Sequence, residues 1–322
     1  MRKTALAPMM GSALFLLAAC GSGDTPPAES ETEADPAATE ESTMAAGNNA
    51  PDAVVDAGPD RSDLAAVLDA EWRGDGADRD IWRHPAQTLE FLQVDPSSTV
   101  VEIWPGGGWY TDILAPWIDG NGGTFVAAHF PADTASDYQA RSRASFIDRT
   151  ADAGIYGDIE LAGFSETGGL EIEPGSADTI LTFRNVHNWM GGGWAETAFA
   201  EMFEGLRPGG TLGVVEHRLP STREQDPMAG TGYVQQDYVI ALAEEAGFEF
   251  VAASEINANP ADTADHPRGV WTLPPVRRNP QPDSEAAADF DREAYDAIGE
   301  SDRMTLLFRK PDADTPESGD AD

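Results

Sequence analysis

One short stretch narrows the possible folds more than any other: Val100-Val101-Glu102-Ile103-Trp104-Pro105-Gly106-Gly107-Gly108-Trp109-Tyr110. An apolar run, an acid, a glycine cluster and an amphipathic run spell strand, tight loop, helix. That unit opens a nucleotide-type binding site in a doubly wound α/β sheet. Small residues let a ligand approach the backbone, and the helix that follows offers unpaired N–H groups. Without its fold context, the same glycine run is more often an ordinary turn.

The chain on either side continues the alternation. Apolar runs predict strands over residues 100–103, 124–128, 155–156, 177–183, 211–216, 248–254 and 304–308. Helical periodicity covers 110–117, 134–149, 194–206 and 233–246. Two further helices are predicted within 64–93, where Pro85 starts or kinks the second. Such alternation implies an α/β fold with a doubly wound, mainly parallel, seven-stranded sheet covered on both faces. The long stretch 255–302 lacks a clear helical crossover, so the last two strands are expected to form an antiparallel C-terminal edge hairpin.

Charge limits the partners. The chain carries 57 acids against 20 Lys plus Arg, a formal net charge of −37. Such a field repels nucleic acid and anionic lipid headgroups, leaving a small molecule as the expected partner. Residues 21–63 hold eleven acids and a single base, Arg61, and residues 311–322 hold five acids and no base. Neither segment can build a core, so both are expected to be disordered, the first as an acidic tether and the second as a tail. The folded domain is placed at 64–310.

The start of the chain has its own pattern. Arg2 and Lys3 precede the apolar run 13–17, and Leu17-Ala18-Ala19-Cys20-Gly21 follows. Residues 1–20 therefore look like an export signal. Cys20 after two alanines resembles a bacterial lipobox, the alternative being an ordinary secretory signal with a chance cysteine. The resemblance implies lipidation at Cys20 and a periplasm-facing anchor in the envelope, the membrane being touched through the lipid alone. No aspartate follows Cys20, so nothing there argues for inner-membrane retention, and the outer membrane is the expected location. A single cysteine also rules out an intrachain disulfide.

The order of elements resembles a class I S-adenosylmethionine-dependent methyltransferase, with a Rossmann-like sheet. The glycine loop follows the first strand, and Leu206-Arg207-Pro208-Gly209-Gly210-Thr211-Leu212 is similar to the turn before that family's fifth strand. Trp82-Arg83-His84-Pro85, Phe183-Arg184-Asn185-Val186-His187-Asn188-Trp189, Gly269-Val270-Trp271-Thr272-Leu273-Pro274-Pro275 and 298–305 narrow the resemblance to a bacterial group named from its fold. It spans residues 72–311. It implies S-adenosylmethionine as cofactor, held by Glu102, Trp104, Gly106, Gly107, Gly108, His129 and Asp158.

Two of those positions depart from the family pattern. Trp104 stands where the first glycine is usual; it can pack on a cofactor or fill the cofactor's space. His129 stands where an acid usually binds the ribose hydroxyls, and it cannot offer a bidentate acceptor. Asp158, after the predicted third strand, is the candidate adenine contact, or else a surface acid.

Strand ends on one sheet edge gather the remaining candidates. Arg184, Asn185 and His187 follow the fourth strand, with His187 as a base and Arg184 as a clamp for a carboxylate or phosphate. Equally, they cap the next helix. His129, His187 and His217 fall at strand ends and form a candidate metal set, with Glu216 or Glu102 beside them. Trp104, Trp189 and Trp271 are expected on the pocket wall, which suits an apolar or planar ligand. The polar stretch 257–268 is expected to act as a lid. Three functions stay open: methyl transfer, a cofactor-less binding or scaffold protein on the same fold, and a metal-dependent enzyme.

Overall fold

The computed structural model describes residues 59–313. The export signal, Cys20, most of the tether and the end of the tail lie outside the described residues. Within the described residues, Asp63 caps the first helix, and Arg61 bonds the Ile155 carbonyl and pairs with Asp119.

The N-terminal helices are α1 (Leu64–Leu68), a 3-10 turn (Glu71–Arg79), α2 (Asp80–Arg83) and α3 (Pro85–Phe91). Pro85 opens α3, where its missing N–H costs nothing. The alternating part runs β1 (Thr99–Ile103), α4 (Thr111–Gly120), β2 (Thr124–His129), α5 (Asp137–Arg149), α6 (Ala153–Tyr156) and β3 (Ile159–Ser165). Next come β4 (Gly169–Leu170), β5 (Ala177–Phe183), α7 (Val186–Gly192), α8 (Ala195–Gly205) and β6 (Leu206–Leu219). The chain ends with β7 (Val234–Gln235), α9 (Gln236–Glu245), β8 (Glu249–Ser254), β9 (Pro267–Val270), α10 (Glu285–Ala288), α11 (Arg292–Ile298) and β10 (Arg303–Arg309).

The sheet order is β4-β3-β2-β1-β5-β6-β10-β8, with β7 on the side of β6. Strands β3, β2, β1, β5 and β6 are parallel, and β10 lies antiparallel between β6 and β8. Six of the seven expected strands lie where the sequence placed them in a mainly parallel sheet, the third lies further along the chain, and the two-residue β4 and β7 are added. The expected antiparallel C-terminal pair is β8 with β10, and β8 forms the rim.

Two apolar layers sandwich the sheet. Val101, Ile103, Val126 and Phe164 pack on α7 and α8 on one face. Val100, Phe125, Leu181 and Val215 pack on α3 and α4 on the other. Strands buried on both faces read as unbroken apolar runs, so their positions were predictable.

Two elements differ from expectation. Residues 155–156 belong to α6, whose start is capped by Asp152. The third strand is Ile159–Ser165, partly exposed, with Leu161 open to solvent, so its pattern is broken. The stretch 257–268 is no lid: Asn257, Asn259, Asp262 and His266 are buried. Asp262 accepts hydrogen bonds from Tyr233, His266 and the Asp302 amide, while Asn257 bonds Thr88 and Thr305. Among the described residues no helix is long and apolar enough to cross a membrane.

Successive strands leave β1 toward β3 in one direction and β5 toward β6 in the other. The chain order therefore reverses between β1 and β5, and the carboxyl ends of those strands open a crevice. Both tips turn through left-handed backbone at non-glycine residues, Trp104 at φ 45° and Arg184 at φ 63°. Each keeps its ladder hydrogen bond: the Trp104 amide donates to the Ala128 carbonyl, and the Arg184 amide to the Val215 carbonyl. Such conformations cost on the order of 1 kcal/mol or more and concentrate at functional sites.

Candidate functional site

At the β1 tip, Glu102 does not face the crevice. It is buried, and its Oε2 accepts the Thr111 hydroxyl at 2.7 Å. Burial raises its pKa to about 8, despite the Thr111 bond, so it is a neutral acid at pH 7. Its role is to tie β1 to the first turn of α4.

Trp104 is partly buried and lines the cavity beside the glycine loop. The Nε1–H donates to the Phe164 carbonyl at 2.9 Å, at the carboxyl end of β3. The ring packs edge-on or tilted against Phe130, Phe164, Trp189 and Trp194, with centroids 4.9 to 6.2 Å apart. The indole thus fills the space between the β2 and β3 tips. Trp189 is fully buried in this aromatic group and lines no pocket.

His129, at the β2 tip, is buried. Its Nδ1 accepts the Phe130 amide at 2.7 Å, so the ring proton sits on Nε2, which is buried without a partner among the described residues. Burial, and then Arg143, push its pKa down to about 4. Asp158 precedes β3 instead of following it. It lies at the amino edge, one residue before Ile159, which pairs with Phe125, so it cannot reach a ligand in the crevice.

The glycine loop does present open backbone. Gly106 and Gly108 have φ of 60° and 82°, which glycine adopts without strain. A Cβ on Gly106 or Gly107 would meet no atom within 4 Å. Cavities of about 380 Å³ flank the loop on both sides. One runs over α5, past Tyr138, Ser142 and Ser145. The other lies beside Trp109, Phe183, Arg184 and Asn185. Arg149 borders both, bonded to the Gly107 carbonyl and paired with Asp112.

The β5 and β6 tips carry the other chemistry. Asn185 is a strut: its Nδ2 donates to the Ile103 carbonyl at 2.9 Å and to Thr182 Oγ1 at 3.2 Å, holding β5 to β1. The Glu216 carboxylate accepts the His217 amide at 2.7 Å, the His187 amide at 3.3 Å and His187 Nδ1 at 3.1 Å. An ionised Glu216 can only accept, which places a proton on Nδ1 of His187; in the neutral ring Nε2 then carries the lone pair. His187 lines a smaller cavity of about 150 Å³ with Arg184, His217 and Trp271. His217 Nδ1 meets Ser301 Oγ, and burial followed by neighbouring His187 holds its pKa well below the usual value.

Among the described residues, His187, Glu216 and His217 place ligand-type atoms within 4.8 Å of one another. His129 is not in that group. The expected three-histidine set therefore splits, and Glu216 takes the third place with its oxygens already engaged.

Arginines that sequence reasoning did not gather also converge here. Glu300 pairs with Arg79 at 2.6 Å, Arg83 at 2.9 Å and Arg303 at 3.0 Å. Burial alone would raise the Glu300 pKa, but Arg303, Arg83 and Arg79 hold it down at about 2. Burial and then Arg83 push the Arg184 pKa down to about 9, so it stays charged at pH 7. The four arginines are scattered from 79 to 303. The sequence hints were the Trp82–Pro85, Phe183–Trp189 and 298–305 motifs.

No protein-family profile and no curated protein matches the chain. Solved structures of similar fold include the [4+2]-cyclase SpnF, 16% identical at TM-score 0.47, covering 72% of this chain and 81% of that one. A SAM-dependent methyltransferase from Aquifex aeolicus is 15% identical at TM-score 0.45, covering 62% and 93%. Geranyl diphosphate methyltransferase in complex with SAM is 14% identical at TM-score 0.45, covering 77% and 90%. At these identities the likeness concerns the fold alone.

Proposed function

We propose that the chain is an S-adenosylmethionine-dependent methyltransferase acting on a small molecule, with His187 as its base. The observation that carries this reading is the His187–Glu216 pair. A buried carboxylate fixes the Nδ1–H tautomer and leaves Nε2 facing a cavity walled by Trp271. Such an arrangement is what proton removal from a nucleophile requires.

The cradle for the cofactor is the open backbone of Gly106 and Gly107. With Trp104 filling the space between the β2 and β3 tips, the adenosine end belongs over α5, where Ser142 and Ser145 can bond ribose hydroxyls and Tyr138 can stack. When bound, the cofactor supplies an electrophilic methyl group. The protein's own residues orient the nucleophile beside Trp271, accept its proton at His187 Nε2 and exclude water. Arg149 must release the Gly107 carbonyl as the cofactor settles. Anchoring of this site in the envelope through Cys20 belongs to the same proposal.

Calorimetry of the full chain with S-adenosylhomocysteine tests it. A single saturable site is expected, lost in Gly107→Trp with unchanged thermal stability, because that side chain would point into open space. Absence of heat from the unmodified chain sinks the reading. It leaves the second one, a cofactor-less binding protein, which Trp104 and His129 favour.

A further inference from the structure

We infer that the crevice contains a built anion site, centred on Arg184, that takes a carboxylate or phosphate group of a small molecule. Three guanidinium groups, those of Arg79, Arg83 and Arg303, share one carboxylate, Glu300, and a fourth, that of Arg184, lines the same cavity as Arg79. Three positive charges in this cluster are therefore unmatched, in a chain whose net charge is −37. The nearby acids are committed elsewhere, Asp80 to Arg73 and Asp112 to Arg149. Arg184 has no side-chain hydrogen bond or ion pair among the described residues. Arg79 Nη2 and Arg83 Nη2 are buried with no partner among them. Each unmet buried donor costs about 1–3 kcal/mol, and more when charged. A bound anion would offset that cost.

Arg79 and Arg184 line the 380 Å³ cavity beside the glycine loop, together with Trp109 and Phe183. Arg184 also borders the smaller cavity that holds His187 and Trp271. A ligand anchored on Arg184 would thus extend its remaining part along Trp271 toward His187 Nε2. The chemical class is a small acid or phosphate ester with an apolar or planar body. This inference does not depend on methyl transfer, since it needs only the arginines and the cavity.

The test is calorimetry of the full chain in chloride buffer at constant ionic strength, with inorganic phosphate in one arm and succinate in the other. At least one anion is expected to bind a single saturable site, and the arm that binds identifies the group. Arg184→Gln should weaken binding about tenfold or more, and Arg184→Lys should retain part of it. Arg207→Gln, at an exposed pair with Asp178, should leave it unchanged. Three results would overturn the inference: no saturable binding in either arm, equal weakening by Arg207→Gln, or displacement of the anion by S-adenosylhomocysteine. The last would assign the arginines to the cofactor's own carboxylate. Heat with S-adenosylhomocysteine but with neither anion removes this site and leaves methyl transfer standing.

Discussion

The crevice has two sides built on opposite principles. At the β1 and β2 tips, Glu102 is a neutral buried acid, His129 a neutral buried imidazole, and Trp104 an indole locked among four aromatic rings. At the β5 and β6 tips, Arg184 lacks a partner, His187 is oriented by Glu216, and both border open space. Neighbouring loops in the same sheet thus differ in whether their titratable groups are buried or line a cavity. The first side stabilises the fold and shapes the wall. The second retains capacity to bind and to move a proton.

The largest effect is expected at the anion that holds the charged side together. Glu300→Gln leaves buried Arg83 and Arg303 and half-buried Arg79 without a counter-charge and should cost about 3–5 kcal/mol in denaturant unfolding. Added phosphate should restore part of it. In the unmodified chain the same group sets an acid limit. Its pKa is depressed to about 2 from 4.5, so its contribution is complete above about pH 4.5 and disappears as pH falls toward 2. Full stability of Glu300→Gln would erase the contrast between the sides.

Trp104→Gly should cost about 3 kcal/mol, the lost aromatic packing being partly offset by relief of the φ 45° backbone. Affinity for S-adenosylhomocysteine should stay within about threefold, a difference under 1 kcal/mol. A gain of tenfold would show that the indole blocks the adenosine site instead of completing a wall.

Glu102→Gln acts in the opposite sense. The raised pKa of about 8 against 4.5 means that Glu102 favours folding below pH 4.5 and loses that contribution as pH rises through 8. The variant should therefore be the more stable protein at pH 8, by on the order of 3 kcal/mol, with little difference at pH 4. A variant less stable at pH 8 would show that Glu102 is a working carboxylate. The smallest effect is that of Arg207→Gln, within about 0.5 kcal/mol, because an exposed ion pair is screened by water.

Much of this architecture was legible in the sequence because doubly buried strands leave continuous apolar runs. The first, fourth and fifth strands and the last one were placed on that basis. The third strand was not, since Ile159–Ser165 is half exposed, and that error carried Asp158 to the wrong edge. The placement of His187 and Glu216 at adjacent strand ends was also readable. Their hydrogen bond was not, because it depends on which imidazole nitrogen faces the carboxylate. The shared Glu300 was invisible for a different reason: its partners lie up to 221 residues away in the chain.

The contrast between the two sides is tested most directly by the ring nitrogens of His187 and His129, observed by 15N NMR in histidine-labelled full-length protein at neutral pH. The account predicts a proton on Nδ1 and a bare Nε2 for His187. For His129 it predicts the reverse tautomer, with no titration until about pH 4. A proton on Nε2 of His187, or a His129 that titrates near pH 6.5, would contradict it.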